Sequence, residues 1–136
     1  MNNKKHTKIL IVDDNANNVK LLEAMLLADG YAPLSATSGK EALRLAAKLP
    51  DLILMDIMMP EMNGFEAVEK LRSNPATRDI PVIMVTSLDD RESRLFALQA
   101  GADEFISKPV DRAELALRVR NVLMLKEYRK LMEQQA

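Results

Sequence analysis

The chain has 136 residues, about the length of one domain, and its 48% hydrophobic and 29% charged residues are typical of a folded globular protein. It has no cysteine and one histidine, His6, which excludes disulfides and thiolate–metal sites and argues against a Ser-His-Asp hydrolase. The net charge of −1 argues against a nucleic-acid surface, and no apolar run reaches the roughly 18 residues of a membrane span. We expect a cytoplasmic protein, because the apolar run 9–12 after the polar start is too short for a signal peptide.

Five short, largely apolar runs predict the strands of a buried sheet. Continuous runs of this length suit strands that are covered on both faces. The predicted strands are residues 8–12, 32–36, 52–55, 81–85 and 104–106.

Apolar residues spaced three and four apart predict a helix after each strand. Ser38 and Glu41 match a capping box at the start of the second helix, and Gly30 ends the first. The predicted helices cover about residues 15–30, 38–49, 65–72, 90–100 and 111 onward. Strict alternation of strands and helices indicates an α/β fold with a parallel sheet, and no repeat or linker divides the chain.

Polar side chains follow four of the predicted strands at the point where each strand ends. They are Asp13 and Asp14, Asp56, Thr86 and Lys108. The carboxyl ends of parallel strands share one edge of the sheet, and ligands bind in the crevice there. If the first and third strands are neighbours, the three aspartates converge and repel one another unless a cation lies between them. Oxygen ligands of this kind suit Mg²⁺.

The same residues form a set that can receive a phosphoryl group. Asp56 supplies a carboxylate nucleophile, Lys108 and the metal neutralise developing charge, and Thr86 donates a hydrogen bond. Taken singly, each residue also has a structural interpretation as a turn, a helix cap or a solvated lysine. Their coincidence at one end of one sheet favours the functional interpretation.

At these residues the chain resembles the receiver domains of two-component signalling, the CheY-like family, over residues 8–124. That resemblance implies a flavodoxin-like (βα)₅ fold with strand order 2-1-3-4-5. The matching segments are Ile11-Val12-Asp13-Asp14, Leu54-Met55-Asp56-Ile57-Met58-Met59-Pro60, Asn63-Gly64, Val85-Thr86-Ser87, Gly101-Ala102 and Lys108-Pro109.

The resemblance also implies the site chemistry. Asp56 is expected to accept phosphate from a histidine kinase or a phosphotransfer protein, so that the chain catalyses only its own phosphorylation and dephosphorylation. Asp13, Asp56 and the backbone carbonyl of Met58 are expected to bind Mg²⁺, with Asp14 nearby. A cis Lys108–Pro109 bond is expected on the same ground.

A switch is implied as well. On phosphorylation Thr86 is expected to move toward the phosphoryl group, and Phe105 to fill the vacated space. This change would reshape the surface formed by the fourth helix, the fifth strand and the fifth helix, which would control a partner, an output domain or a homodimer. The alternative is that Phe105 is only a core residue.

Two bulky apolar residues, Met58 and Leu88, lie two positions after Asp56 and Thr86. We hypothesise that they hinder the attack of water on the acyl phosphate and so prolong its lifetime.

Beyond the expected domain, residues 125–136 extend the last helix, and residues 1–7 form an N-terminal tail. The extension is either a loose tail or a helix for dimerisation or for connection to an output domain. Residues 118–123 and 126–128 resemble receivers that precede cyclic-di-GMP synthesis or breakdown domains.

Two alternatives to a phosphorylated receiver are open at this point. One is an unphosphorylated scaffold, against which the intact set of site residues argues. The other is an aspartate-nucleophile phosphatase of the haloacid dehalogenase type, which requires an acid at position 58, where this chain has methionine.

Overall fold

The computed structural model describes residues 6–87 and 90–135, so Leu88 and most of the predicted N-terminal tail lie outside it. Five parallel strands form one sheet in the order β2-β1-β3-β4-β5, which confirms the predicted topology. The strands are β1 (Lys8–Val12), β2 (Ala32–Ala36), β3 (Leu52–Met55), β4 (Val82–Thr86) and β5 (Glu104–Ser107). The fourth strand begins one residue later than predicted, after Pro81, and the fifth continues one residue further.

Helices cover both faces of the sheet. They are α1 (Ala16–Ala28), α2 (Gly39–Ala46), α3 (Gly64–Ser73), α4 (Arg91–Ala100) and α5 (Arg112–Gln135). One apolar core lies between the sheet and α2, α3 and α4, and the second lies between the sheet and α1 and α5. The central strands β1, β3 and β4 are therefore buried on both sides, as their continuous apolar sequences predict.

The helix ends partly agree with the sequence predictions. Ser38 accepts a hydrogen bond from the Glu41 N–H, but the Glu41 side chain accepts from Thr37 rather than closing the predicted reciprocal box. A complete capping box is instead present at α3, between Asn63 and Glu66. The second helix also ends at Ala46, earlier than predicted.

α5 is one continuous helix of 24 residues. Leu115, Val119 and Val122 are buried against the sheet, whereas from Leu125 onward the side chains are mostly exposed. Among the described residues, no helix combines the length and the apolar character that crossing a membrane requires.

The loop between β3 and α3 closes back on the end of β3 at Gly64. The Gly64 N–H donates to the Ile57 carbonyl at 2.9 Å. A Cβ added at Gly64 would lie 2.3 Å from the Asp56 backbone oxygen and 2.9 Å from the Ile57 Cα, so only glycine permits this approach. This contact holds the loop that follows Asp56.

We predict that Gly64→Ala lowers the free energy of unfolding by about 2 kcal/mol, because the new methyl group overlaps backbone atoms that must shift. Gly39→Ala is the matched control. The three nearest atoms to its added Cβ are side-chain atoms of Met62, the Cβ, Cγ and Sδ, each at 3.0 Å. Because none of them is a backbone atom, its loss of stability should be smaller, about 1 kcal/mol or less. Denaturant unfolding of both variants measures these losses. Equal losses of stability would contradict the conclusion that only glycine fits at position 64.

Candidate functional site

Three acidic side chains meet at the carboxyl edge of the sheet. Strands β1 and β3 pair in parallel with Val12 opposite Met55, which places the next residues, Asp13 and Asp56, side by side. One carboxylate oxygen from each of Asp13, Asp14 and Asp56 lies within 4.8 Å of the others. Asp13 and Asp56 are buried, with 2% and 6% of their surfaces exposed, and Asp14 is exposed. The geometry therefore brings together the three acids that the sequence predicted.

Lys108 reaches this cluster from the end of β5. Its Nζ donates to Asp13 Oδ2 at 2.9 Å and lies 3.6 Å from Asp56 Oδ1. Its backbone is anchored to β4, because the Lys108 N–H donates to the Thr86 carbonyl at 2.8 Å. The Lys108–Pro109 bond is cis, as expected. The ammonium group thus faces two buried carboxylates.

Asp13 is held at both oxygens. Oδ2 accepts from Lys108, and Oδ1 accepts from the backbone N–H of Asn15 at 2.9 Å. Asn15 also caps α1, since its side chain accepts from the N–H groups of Asn17 and Asn18. Asn15 was not among the predicted site residues, although a residue of a type that caps helices, two positions after Asp13, was a signal for it.

Burial raises the pKa of Asp56 from 3.8 to about 6, because the carboxylate loses hydration. The charge of Asp13 also raises it. Lys108 and the backbone N–H groups of Ile57 and Met58 stabilise the ionised form and so partly offset this rise in the pKa. Asp56 is consequently ionised at neutral pH, but its ionised form is destabilised by burial and by Asp13. A cation in the cluster would reduce this destabilisation.

Thr86 and Phe105 lie on the strands next to this edge. Thr86 is fully buried at the end of β4 and pairs in register with Ser107 of β5. Phe105 is partly buried against the core on the α4 side of the sheet, and the Arg94 guanidinium lies 5.7 Å from the centre of its ring. The switch roles of Thr86 and Phe105 stay predictions.

Met58 lies beside Asp56 with its side chain 61% exposed. Its backbone N–H contacts the Asp56 carboxylate. The roles predicted for the Met58 carbonyl as a metal ligand and for its side chain as a barrier to water stay predictions, as does the role of Leu88.

An open groove of about 410 Å³ borders the site on the α1 side. The sequence analysis did not identify it, because residues from three separate segments form it. They are Asn18, Leu21, Leu22, Ser87, Lys108, Pro109 and Val110. The groove gives another molecule apolar surface to contact beside Lys108.

The comparison with protein families decides which family this arrangement belongs to. The model of the response regulator receiver domain matches residues 9–120. The chain is a member of the response regulator receiver domain family. This family consists of signalling receivers rather than classical enzymes, and the match runs from the second residue of β1 through the other four strands into the first third or so of α5.

Receiver domains of named proteins show the same similarity. The chain is 48% identical over 120 residues to the response regulator PleD of Caulobacter vibrioides and 37% identical over 123 residues to the response regulator SaeR of Staphylococcus aureus. These matches cover 88% and 90% of the chain but only 26% of PleD and 53% of SaeR. The chain therefore spans about a quarter to a half of the length of these relatives.

Solved receiver structures share the fold. The receiver domain of the sensor histidine kinase PA1611 from Pseudomonas aeruginosa, with a magnesium ion coordinated in its active-site cleft, has a TM-score of 0.80 and 34% identity. The match covers 86% of this chain and 97% of that one. The chemotaxis protein CheY4 of Vibrio cholerae has a TM-score of 0.81 and 31% identity over 85% of this chain and 98% of its own.

The raised pKa of Asp56 predicts a pH-dependent stability in the absence of divalent metal. The folded protein binds this proton more tightly than the unfolded chain, so its stabilising effect is complete below about pH 4 and is lost as the pH rises through about 6. Asp56→Asn cannot ionise, so above pH 6 this variant should be more stable than the native receiver by about 2 to 3 kcal/mol.

Denaturant unfolding of both proteins in EDTA, across this pH range, measures the difference. The same other groups are present in both proteins, so the pH dependence of the difference reports Asp56 together with its interactions with Asp13 and Lys108. A stability difference that stays constant with pH would contradict the electrostatic description of the site.

Proposed function

We propose that this receiver accepts a phosphoryl group on Asp56 from the phosphohistidine of a histidine kinase or phosphotransfer protein, in a reaction that requires Mg²⁺. The observation that carries the proposal is the buried Asp56 carboxylate, with two further acids and the Lys108 ammonium gathered around it. A cytoplasmic location, where such donors transfer phosphate, is part of the proposal.

The donor set fits Mg²⁺, because hard carboxylate oxygens are the ligands that this ion prefers. Asp13, Asp14 and Asp56 would hold it, together with the Met58 carbonyl. When bound, Mg²⁺ supplies positive charge that offsets the repulsion among the carboxylates and the charge on the transferring phosphoryl oxygens.

Three side chains of the receiver would carry out the other parts of the phosphoryl transfer. An ionised Asp56 oxygen attacks phosphorus, the phosphorus–nitrogen bond of the donor breaks, and the donor imidazole keeps the bonding electron pair. Lys108, fixed by Asp13, places its ammonium where phosphoryl oxygens would approach Asp56. Thr86 supplies a hydroxyl donor from the adjacent strand.

The signal then passes to the surface formed by α4, β5 and α5. Movement of Thr86 toward the phosphoryl group would open space beside β5, and Phe105 is placed to fill it. Arg94 over the Phe105 ring links this movement to α4. The changed surface would control a partner or an output domain.

The output domain is proposed to act in cyclic-di-GMP synthesis or breakdown. The support is the sequence resemblance at residues 118–123 and 126–128, together with the 48% identity to PleD, a response regulator of which this chain covers 26%. The sequence that follows this segment in its gene tests this directly, since a different output domain there would overturn it.

We predict that acetyl phosphate or beryllofluoride modifies the native receiver once, at Asp56, only when Mg²⁺ is present. Asp56→Asn should remain unmodified, because it removes the nucleophile. Asp79→Asn is the matched control, since Asp79 is exposed and distant from the cluster, and it should be modified like the native chain. Intact mass before and after incubation measures this.

The same experiment separates the alternatives. A native chain that no small phosphodonor labels would be an unphosphorylated scaffold. Sustained turnover of phosphate esters would instead indicate an aspartate-nucleophile phosphatase.

The lifetime of the acyl phosphate tests the role of Met58. We predict that Met58→Asn shortens it by roughly tenfold, because an amide beside Asp56 can hydrogen-bond an attacking water. Met58→Leu keeps an apolar side chain of similar size and should leave the lifetime close to the native value. Equal lifetimes in all three proteins, measured as autodephosphorylation rates, would disprove the proposed hindrance of water.

A further inference from the structure

A stripe of exposed side chains runs along α5. Leu117, Met124, Tyr128 and Leu131 are 47%, 60%, 60% and 52% exposed. With Asn121 they are spaced four, three, four and three residues apart. This is the spacing of the a and d positions of a heptad, with Asn121 and Tyr128 at a.

The stripe faces away from the body of the domain. At 3.6 residues per turn, it lies on the side of α5 opposite Leu115, Val119 and Val122, the residues buried against the sheet. A molecule seated on the stripe would therefore lie outside the receiver and would not displace the core.

The receiver's own described residues do not provide apolar cover for the extension. From about Asn121 to Glu133, α5 borders a groove of about 530 Å³ whose lining is largely charged. Its α5 side includes four charged residues, Lys126, Arg129, Lys130 and Glu133, together with Val122, Leu125 and one flank of the stripe at Asn121. The four apolar residues of the stripe, Leu117, Met124, Tyr128 and Leu131, do not line it. Folding the stripe back onto this groove would place apolar side chains against charged ones.

The direction of the extension is fixed before it leaves the domain. Lys126 Nζ donates to the Asp51 carbonyl at 3.3 Å and lies 3.6 Å from Asp51 Oδ1. Asp51 is in turn tied to β1, since its Oδ2 accepts from the Lys8 N–H at 2.8 Å. The helix therefore loses little further freedom when a partner binds the stripe.

We propose that the occupant is a second copy of this chain, and that the two α5 helices form a parallel, in-register two-stranded coiled coil. The position of Asn121 is the reason for proposing a second copy in parallel orientation. In a parallel pair the two Asn121 amides lie opposite each other and can hydrogen-bond, as a single asparagine at an a position does in two-stranded coils. In an antiparallel pair centred on the stripe, each Asn121 would instead lie opposite residues near 127, without its matching amide.

The length of the stripe sets the strength of this association. From Leu117 to Gln135 the helix is roughly 28 Å long, fewer than three heptads. A coil this short with one polar a position should dissociate on dilution. Leu125 and Met132, at e positions beside the stripe, add apolar area to the contact.

Sedimentation velocity of the full chain over a wide concentration range tests the proposal. The native chain should pass from monomer to dimer as its concentration rises. The double variant Met124→Glu/Leu131→Glu should weaken dimerisation more than about tenfold, because it places like charges in the contact. The matched control Arg129→Gln/Lys130→Gln changes the net charge by the same two units on the outer positions and should dimerise like the native chain.

Two results would overturn the proposal. One is a native chain that is monomeric at every concentration, and the other is a dimer that the glutamate pair leaves unchanged. Circular dichroism of each variant establishes that the helices are intact, so that lost dimerisation is not lost folding.

The absence of cysteine allows the orientation to be tested as well. Gln135→Cys, at an a position, should form a disulfide-linked dimer rapidly on oxidation if the helices are parallel. Glu133→Cys, on the outer side, should crosslink about tenfold more slowly. A dimer in which Gln135→Cys crosslinks no faster than Glu133→Cys would overturn the parallel arrangement.

Discussion

The site depends on one electrostatic conflict: Asp13 and Asp56 are buried side by side as carboxylates, and their mutual repulsion is only partly relieved by Lys108. Lost hydration and the neighbouring negative charge both raise the free energy of the ionised Asp56. The folding free energy of the rest of the domain offsets this cost, and a cation bound among the carboxylates, as proposed above, would reduce it.

The architecture keeps these charges together from three distant parts of the chain. Parallel pairing of β1 with β3 sets Asp13 beside Asp56, and β5 returns Lys108 to the same edge. Close backbone contacts then hold each loop, with Asn15 fixing Asp13 and Gly64 fixing the segment after Asp56. A core on each face of the sheet restrains this edge, whereas transmission of a change in its charge to α4 and β5 stays a prediction.

Much of this could be predicted from the sequence, because short apolar runs mark the strands and the residues that follow them must share one edge. Lys108 and Asp56 were found in this way. The role of Gly64 could not be, since its backbone has an ordinary conformation and only a tertiary neighbour excludes a side chain. Glu41 was misassigned, because its side chain accepts from the Thr37 N–H, one residue before the Ser38 N–H that a capping box requires. The heptad stripe of α5 was not identified from the sequence, since its importance depends on knowing which residues are buried on the opposite side of the helix.

The most direct measurement of the central claim is a crystal structure of the receiver grown with Mg²⁺ and beryllofluoride. We predict one ion bound by oxygens of Asp13 and Asp56, beryllium attached to the other Asp56 oxygen, and Lys108 and Thr86 contacting fluorine atoms. A metal ion bound elsewhere, or beryllium attached to Asp13 or Asp14 with Asp56 unmodified, would contradict this prediction.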